Sequence, residues 1–91
     1  MGIPYIHYRI DDLALLDILT LRERYIVERR IGLHGKPQCF REIGEQLGIC
    51  GSYVHDIEFI ALCKMRIPYV MHKYGKRKVE HIANTKRRVV K

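Results

Sequence analysis

The sequence predicts an all-α protein: a four-helix helix-turn-helix domain with an extended N-terminal arm and a basic C-terminal tail. Three observations carry that prediction. Apolar residues recur at helical steps of three or four at Phe40, Ile43 and Leu47, and again at Val54, Ile57, Ala61 and Met65. Only Gly48, Ile49, Cys50 and Gly51 separate the two series. A break that short, opened by a glycine, gives two helices that cross steeply, and in a helix-turn-helix the second of them can enter the DNA major groove. The chain has 91 residues, enough for one small domain with a modest core.

The elements follow in order. Residues 3–10 mix Ile, Pro, Tyr, His and Arg, which suits an extended arm or a short edge strand. Asp11 or Asp12 then caps a helix over Leu13 to Leu19 that buries Leu13 and Leu16, with Leu19 the next candidate. Thr20 and Glu23 have capping-box spacing, so each satisfies the other's exposed amide at the start of the next helix. Gly32 ends that helix where a left-handed residue is wanted. His34 to Gln38 is a turn by composition, and the paired helices come next. Pro68 stops the last of them. Residues 1–10 thus form the arm, 11–67 the helix-turn-helix domain and 68–91 the basic tail, with a short tail helix around Val79, Ile82 and Ala83 left open.

The net charge of +7 is unevenly placed. Residues 1–71 carry nine basic and nine acidic side chains, whereas residues 72–91 carry eight basic ones and a single acid, Glu80. Attraction to phosphates is therefore expected mainly from the tail, although a charge run at a chain end also serves solubility. Three cysteines, an odd number, point to a reducing cytoplasm and away from a disulfide framework. No apolar run approaches the ~18 residues needed to span a bilayer, so no membrane partner is expected. No secretory segment follows Met1. The cysteines lack the paired spacing of zinc sites, and the five histidines have no partnered carboxylate or nucleophile at telling spacing. No enzyme activity, cofactor or metal is expected.

At this point three blocks resemble domain four of bacterial RNA polymerase sigma factors. Residues 19–33, Leu-Thr-Leu-Arg-Glu-Arg-Tyr-Ile-Val-Glu-Arg-Arg-Ile-Gly-Leu, are similar to its L-P-x-R-E-R-x-V-L-x-L-R-Y-G-L. Residues 40–49 resemble L-E-E-I-G-E-x-L-G-V, and residues 54–66 resemble V-R-Q-I-E-A-x-A-L-x-K-L-R. Order and spacing hold over about half the chain. Nothing resembles the sigma domain that melts the minus-ten element, so a stand-alone domain of the kind a phage carries is expected, not a complete sigma factor. The resemblance implies two partners: double-stranded DNA at the minus-35 element, read by the second helix, and the flap of the bacterial RNA polymerase beta subunit. A homodimer stays open.

The departures fall on the reading face. The family places Arg, Glu, Arg and Gln where this chain has Gly51, Ser52, His55 and Asp56. Bidentate Arg on guanine is the commonest specific contact, and Gly51 cannot make it. A different target sequence, or none, is implied. Gly51, Ser52, Tyr53, His55 and Asp56 are the candidate base-reading positions. Lys36, Arg41, Lys73, Lys76, Arg77, Lys78, Lys86, Arg87 and Arg88 are the candidate phosphate contacts. Phe59, Ile60 and Cys63 stand at family positions that are small or polar, which makes the last helix apolar nearly all round. Their cover is either the arm, through Ile6, Tyr8 and Ile10, or a second protein. Cys39 and Cys50 stand at helix N-caps where the family has Ser or Thr; a thiol caps less well, and a thiol at a helix N-terminus could serve redox sensing.

Three functions compete. The first is a DNA-binding transcription regulator at promoters beside RNA polymerase. The second is a protein-binding module that docks on the polymerase flap or a sigma factor with only nonspecific DNA contact. The third is a DNA-binding subunit in recombination or packaging.

Overall fold

The computed structural model describes residues 8–86, with side chains through residue 84. Its architecture is all-α. A 3₁₀ helix, Leu13–Ile18, precedes five α-helices: α1 (Leu21–Ile31), α2 (Phe40–Leu47), α3 (Gly51–Met65), α4 (Pro68–Tyr74) and α5 (Lys76–Lys86). The sequence pattern predicts four helices; the two extra ones lie in the segment assigned to a basic tail. The arm's residues 1–7, including Ile6, lie outside the described residues. Residues 8–10 form no strand, yet Tyr8 is buried and Ile10 packs on the core.

Several ends form as the sequence predicts. Asp12 caps the 3₁₀ helix by accepting from the Ala14 N–H (3.0 Å). This element reaches the core through Leu15 and Leu16, and its C-cap Leu19 packs there too. Leu13, expected to be buried, stands outside that contact and is 48 % exposed. The capping box at α1 is complete: Glu23 N–H donates to Thr20 Oγ1 (3.2 Å) and Thr20 N–H to Glu23 Oε1 (3.0 Å). Gly32 closes α1 at φ 75°. The loop beyond is tied back by Gln38 N–H to Arg29 O (2.9 Å).

The end of α3 departs from expectation. The helix stops at Met65, and Arg66 takes the left-handed conformation at φ 52°, unusual for a residue with a Cβ. Its guanidinium is anchored on Glu80 of α5 and on the Lys64 carbonyl (2.9 Å). Pro68 does not merely stop a helix. It occupies the first turn of α4, where a missing N–H costs nothing.

Two apolar clusters share α3. Ile26, Ile43, Val54 and Ile57 close the space beneath the helix-turn-helix. The larger cluster joins Leu16, Val27, Ala61, Leu62 and Met65 to Val70, Val79 and Ala83. Val79 and Ala83 are one turn apart, so they form the buried stripe of α5. The second cover that the apolar surface of α3 requires is thus supplied by the chain's own C-terminal helices as well as by Tyr8.

Two buried ion pairs set α1 antiparallel to α3. Lys64 Nζ meets both Glu23 oxygens (3.0 and 2.8 Å), and about two turns further along α1, Arg30 Nε donates to Glu58 Oε2 (2.9 Å). All four side chains are buried. A slip of either helix would part both pairs, so they fix register even where they add little net stability.

Candidate nucleic-acid interface

The turn between α2 and α3 is closed by backbone contact. A Cβ on Gly44 would lie 2.5 Å from the Ile49 carbonyl oxygen, so only glycine lets the turn approach α2 this closely. Gly48 takes the left-handed cap at φ 73°, and its N–H bonds to Gly44 O. At the other end of α2, Glu42 Oε1 accepts from the Cys39 N–H (3.0 Å), so that helix keeps the carboxylate arm of a capping box. Cys50 caps α3 without a side-chain hydrogen bond, leaving its first turn open.

That first turn projects into solvent. Ser52, Tyr53, His55 and Asp56 are all exposed, and Gly51 is half-buried with its Cα facing the start of α2. His55 stacks edge-on against Phe40, ring centroids 5.1 Å apart, and its Nδ1 lies 3.7 Å from Asp56. Phe40 is itself held from behind, because Arg30 lies against it at 4.1 Å. Arg30 also donates to Glu58 and to the Gln38 carbonyl, which makes it the post on which this corner is built. Tyr8 Oη donates to the same Glu58 carboxylate (2.6 Å). Burial, reinforced by the Glu58 charge, holds the Tyr8 hydroxyl far above its usual range, so it stays a donor.

The expected phosphate contacts divide into two groups. Lys36 and Arg41 are exposed near α2, with Arg41 beside Glu45 (3.5 Å). Lys73, Lys76, Arg77 and Lys78 are exposed on α4 and α5. The Lys86 side chain, Arg87 and Arg88 lie outside the described residues. Two aromatic residues that sequence reasoning misses complete the second group. Lys73 Nζ donates to Tyr69 Oη (3.1 Å), and Lys73 and Lys78 each stand 5.5 Å from the Tyr74 ring centre. The bond to Tyr69 raises the Lys73 pKa. The spacing Tyr69-x-x-x-Lys73-Tyr74 on one helix was the available signal.

Among the three residues expected at a protein interface, Cys63 is fully buried in the core. Phe59 is half-buried, edge-on to Tyr74 at 5.0 Å, and Ile60 is half-buried. Burial pushes the Cys63 thiol up to about 11, beyond reach of ordinary thiol chemistry. Thiol titration of the native protein should therefore find Cys50 reactive, Cys39 slower and Cys63 silent until denaturant is added. Three rapidly reacting thiols would mean that the packing of α5 over Cys63 opens in solution. Among the described residues no helix is long and apolar enough to cross a membrane, and no cluster of side chains could hold a metal ion.

Comparisons with known protein families, characterised proteins and solved structures find no match.

Proposed function

We propose that this chain is a DNA-binding transcription regulator that sets the first turns of α3 in a major groove at promoters, beside RNA polymerase. The observation that carries this reading is the exposed leading end of α3, propped across a glycine-closed turn by α2. Ser52, Tyr53, His55 and Asp56 are the side chains available to base edges; Gly51 contributes none. Ser52 bonds to almost any base, and Asp56 accepts from a cytosine amine, so the target differs from that of an Arg-rich recognition helix. Lys36 and Arg41 serve neighbouring phosphates. The resemblance to sigma domain four supplies the polymerase partner.

Selection of bound duplexes from a random pool, with and without core polymerase, tests the reading. One duplex should outcompete random DNA by at least ~1000-fold at physiological salt. His55→Ala should alter the sequence preference; equal loss on every duplex would contradict the placement of α3.

A second reading has its own support. Leu13, Ile18 and Leu21 are 48 %, 55 % and 90 % exposed on the 3₁₀ helix and the start of α1, the end of α1 where Glu23 meets Lys64 near the close of α3. Such residues suit a docking module for the polymerase flap or a sigma factor. Capture of core polymerase that is lost when the flap is deleted, with no duplex preferred, favours this reading over the first.

A further inference from the structure

We infer that the groove between α3 and α4 seats one phosphodiester of a nucleic-acid backbone, held by the Lys73 ammonium. This deepens the DNA-binding reading, on which it rests for its choice of ligand.

Ser52, Asp56, Phe59 and Cys63 follow one another at steps of three or four and so form one stripe along α3. The first half of the stripe is open, with Ser52 and Asp56 exposed. The second half is closed: Phe59 lies against Tyr74, and Cys63 is fully buried in the cluster that α4 and α5 enter through Val70, Val79 and Ala83. The last two helices therefore lie over the outer side of α3 from Phe59 onward. Only the eight residues from Gly51 to Glu58, roughly 12 Å of helix, project beyond them. A duplex that receives this tip in its major groove brings the flanking phosphate ridge up to the place where the cover begins.

A groove of about 240 Å³ opens at that place, with His55 and Phe59 on one wall and Tyr69, Lys73 and Tyr74 on the other. Among the described residues its one lining carboxylate, Glu58, is buried and already accepts from Tyr8 and Arg30. Arg24, Arg30, Lys64 and Arg66 are each committed to a carboxylate. Among the described residues, no carboxylate lies within ion-pair distance of Lys73, Lys76, Arg77 or Lys78, and Glu80, which acts on Lys76 from farther off, is itself paired with Arg66, so this edge keeps a net positive potential. The Tyr69 hydroxyl and the Tyr74 ring hold the Lys73 head in place, which lowers the entropy lost when an anion binds. A singly charged, tetrahedral oxyanion fits this arrangement. The phosphodiester ridge is the source that lies beside the α3 tip.

Duplex affinity measured against salt concentration on the full chain tests the assignment. Lys73→Gln should lower the slope of log K against log salt by about 0.9, the value of one phosphate contact, and weaken preferred and random duplexes by the same factor. Lys73→Arg should keep the slope. The Lys73 side chain is exposed, so the helical signal and Tm should not move; Lys78→Gln provides an independent variant beside the same ring should they do so. An unchanged slope in Lys73→Gln, while the wild-type protein still prefers one duplex, overturns the phosphate seat and leaves the α3 reading standing. A reduced slope with no preferred duplex upholds the seat and removes base reading by α3. No binding of any duplex by the wild-type protein overturns both.

Discussion

Replacing Glu58 by alanine is expected to destabilise the fold by about 3–5 kcal/mol, the cost of leaving one partner of a buried ion pair behind. Glu58 is buried on α3 and accepts from Arg30 Nε (2.9 Å) and Tyr8 Oη (2.6 Å). Without it, the Arg30 guanidinium keeps, among the described residues, the Gln38 carbonyl and the Phe40 ring, neither of which carries a full negative charge. The Tyr8 hydroxyl loses its acceptor at the same time. A small domain holds only about 5–15 kcal/mol in total, so the variant should unfold at much lower urea or temperature. The double variant Arg30→Met/Glu58→Leu removes both charges together and should recover most of the loss, because desolvation of the pair largely cancels its attraction. Equilibrium unfolding of the two variants decides the matter. A loss below about 1 kcal/mol in Glu58→Ala would mean that water reaches the pair, as it does in exposed pairs.

The contrast between what the sequence made legible and what it hid follows the range of the interactions. The capping box of Thr20 and Glu23, the left-handed Gly32 and the apolar stripes of α2 and α3 are local, and each appears where its spacing placed it. Periodicity also showed that α3 needed cover on another side. It did not name the source, because Val79, Ile82 and Ala83 are the few apolar positions in a segment dominated by charge. The turn at Arg66 carried no signal at all. Glycine is the usual marker of a left-handed helix end, and here an arginine takes that conformation with its guanidinium anchored on Glu80, fourteen residues away. In the candidate site, the exposed positions on α3 were legible from helical spacing. The Arg30–Phe40–His55 stack was not, since it spans three elements. Nor was the Tyr69–Lys73–Tyr74 cluster, because its residues fall in a stretch whose charge resembles that of a solvated tail.

Gly44→Ala should cost about 1–3 kcal/mol, as forced overpacking does, and should disturb α3 more than its size suggests. A Cβ at this position meets the Ile49 carbonyl oxygen at 2.5 Å and comes within 3.4 Å of Cys50 and Gly51 backbone atoms. These are main-chain atoms, so relief requires the turn itself to open. The carbonyl of Gly44 accepts from the Gly48 and Ile49 N–H groups, and both bonds would stretch as α3 swings away from α2. Gly48→Ala provides the comparison. Its Cβ would enter open space, and its cost of roughly 1–2 kcal/mol comes only from φ 73°, which an L-residue dislikes locally. Both variants lose stability, but only the first shifts the leading end of α3 relative to Phe40 and the basic side chains around it. Duplex affinity should therefore fall more in Gly44→Ala than in Gly48→Ala under conditions where both remain folded. Equal affinities at matched stability would mean that the crossing angle of α2 and α3 does not matter to binding, and the groove-entry role of α3 would fall with it.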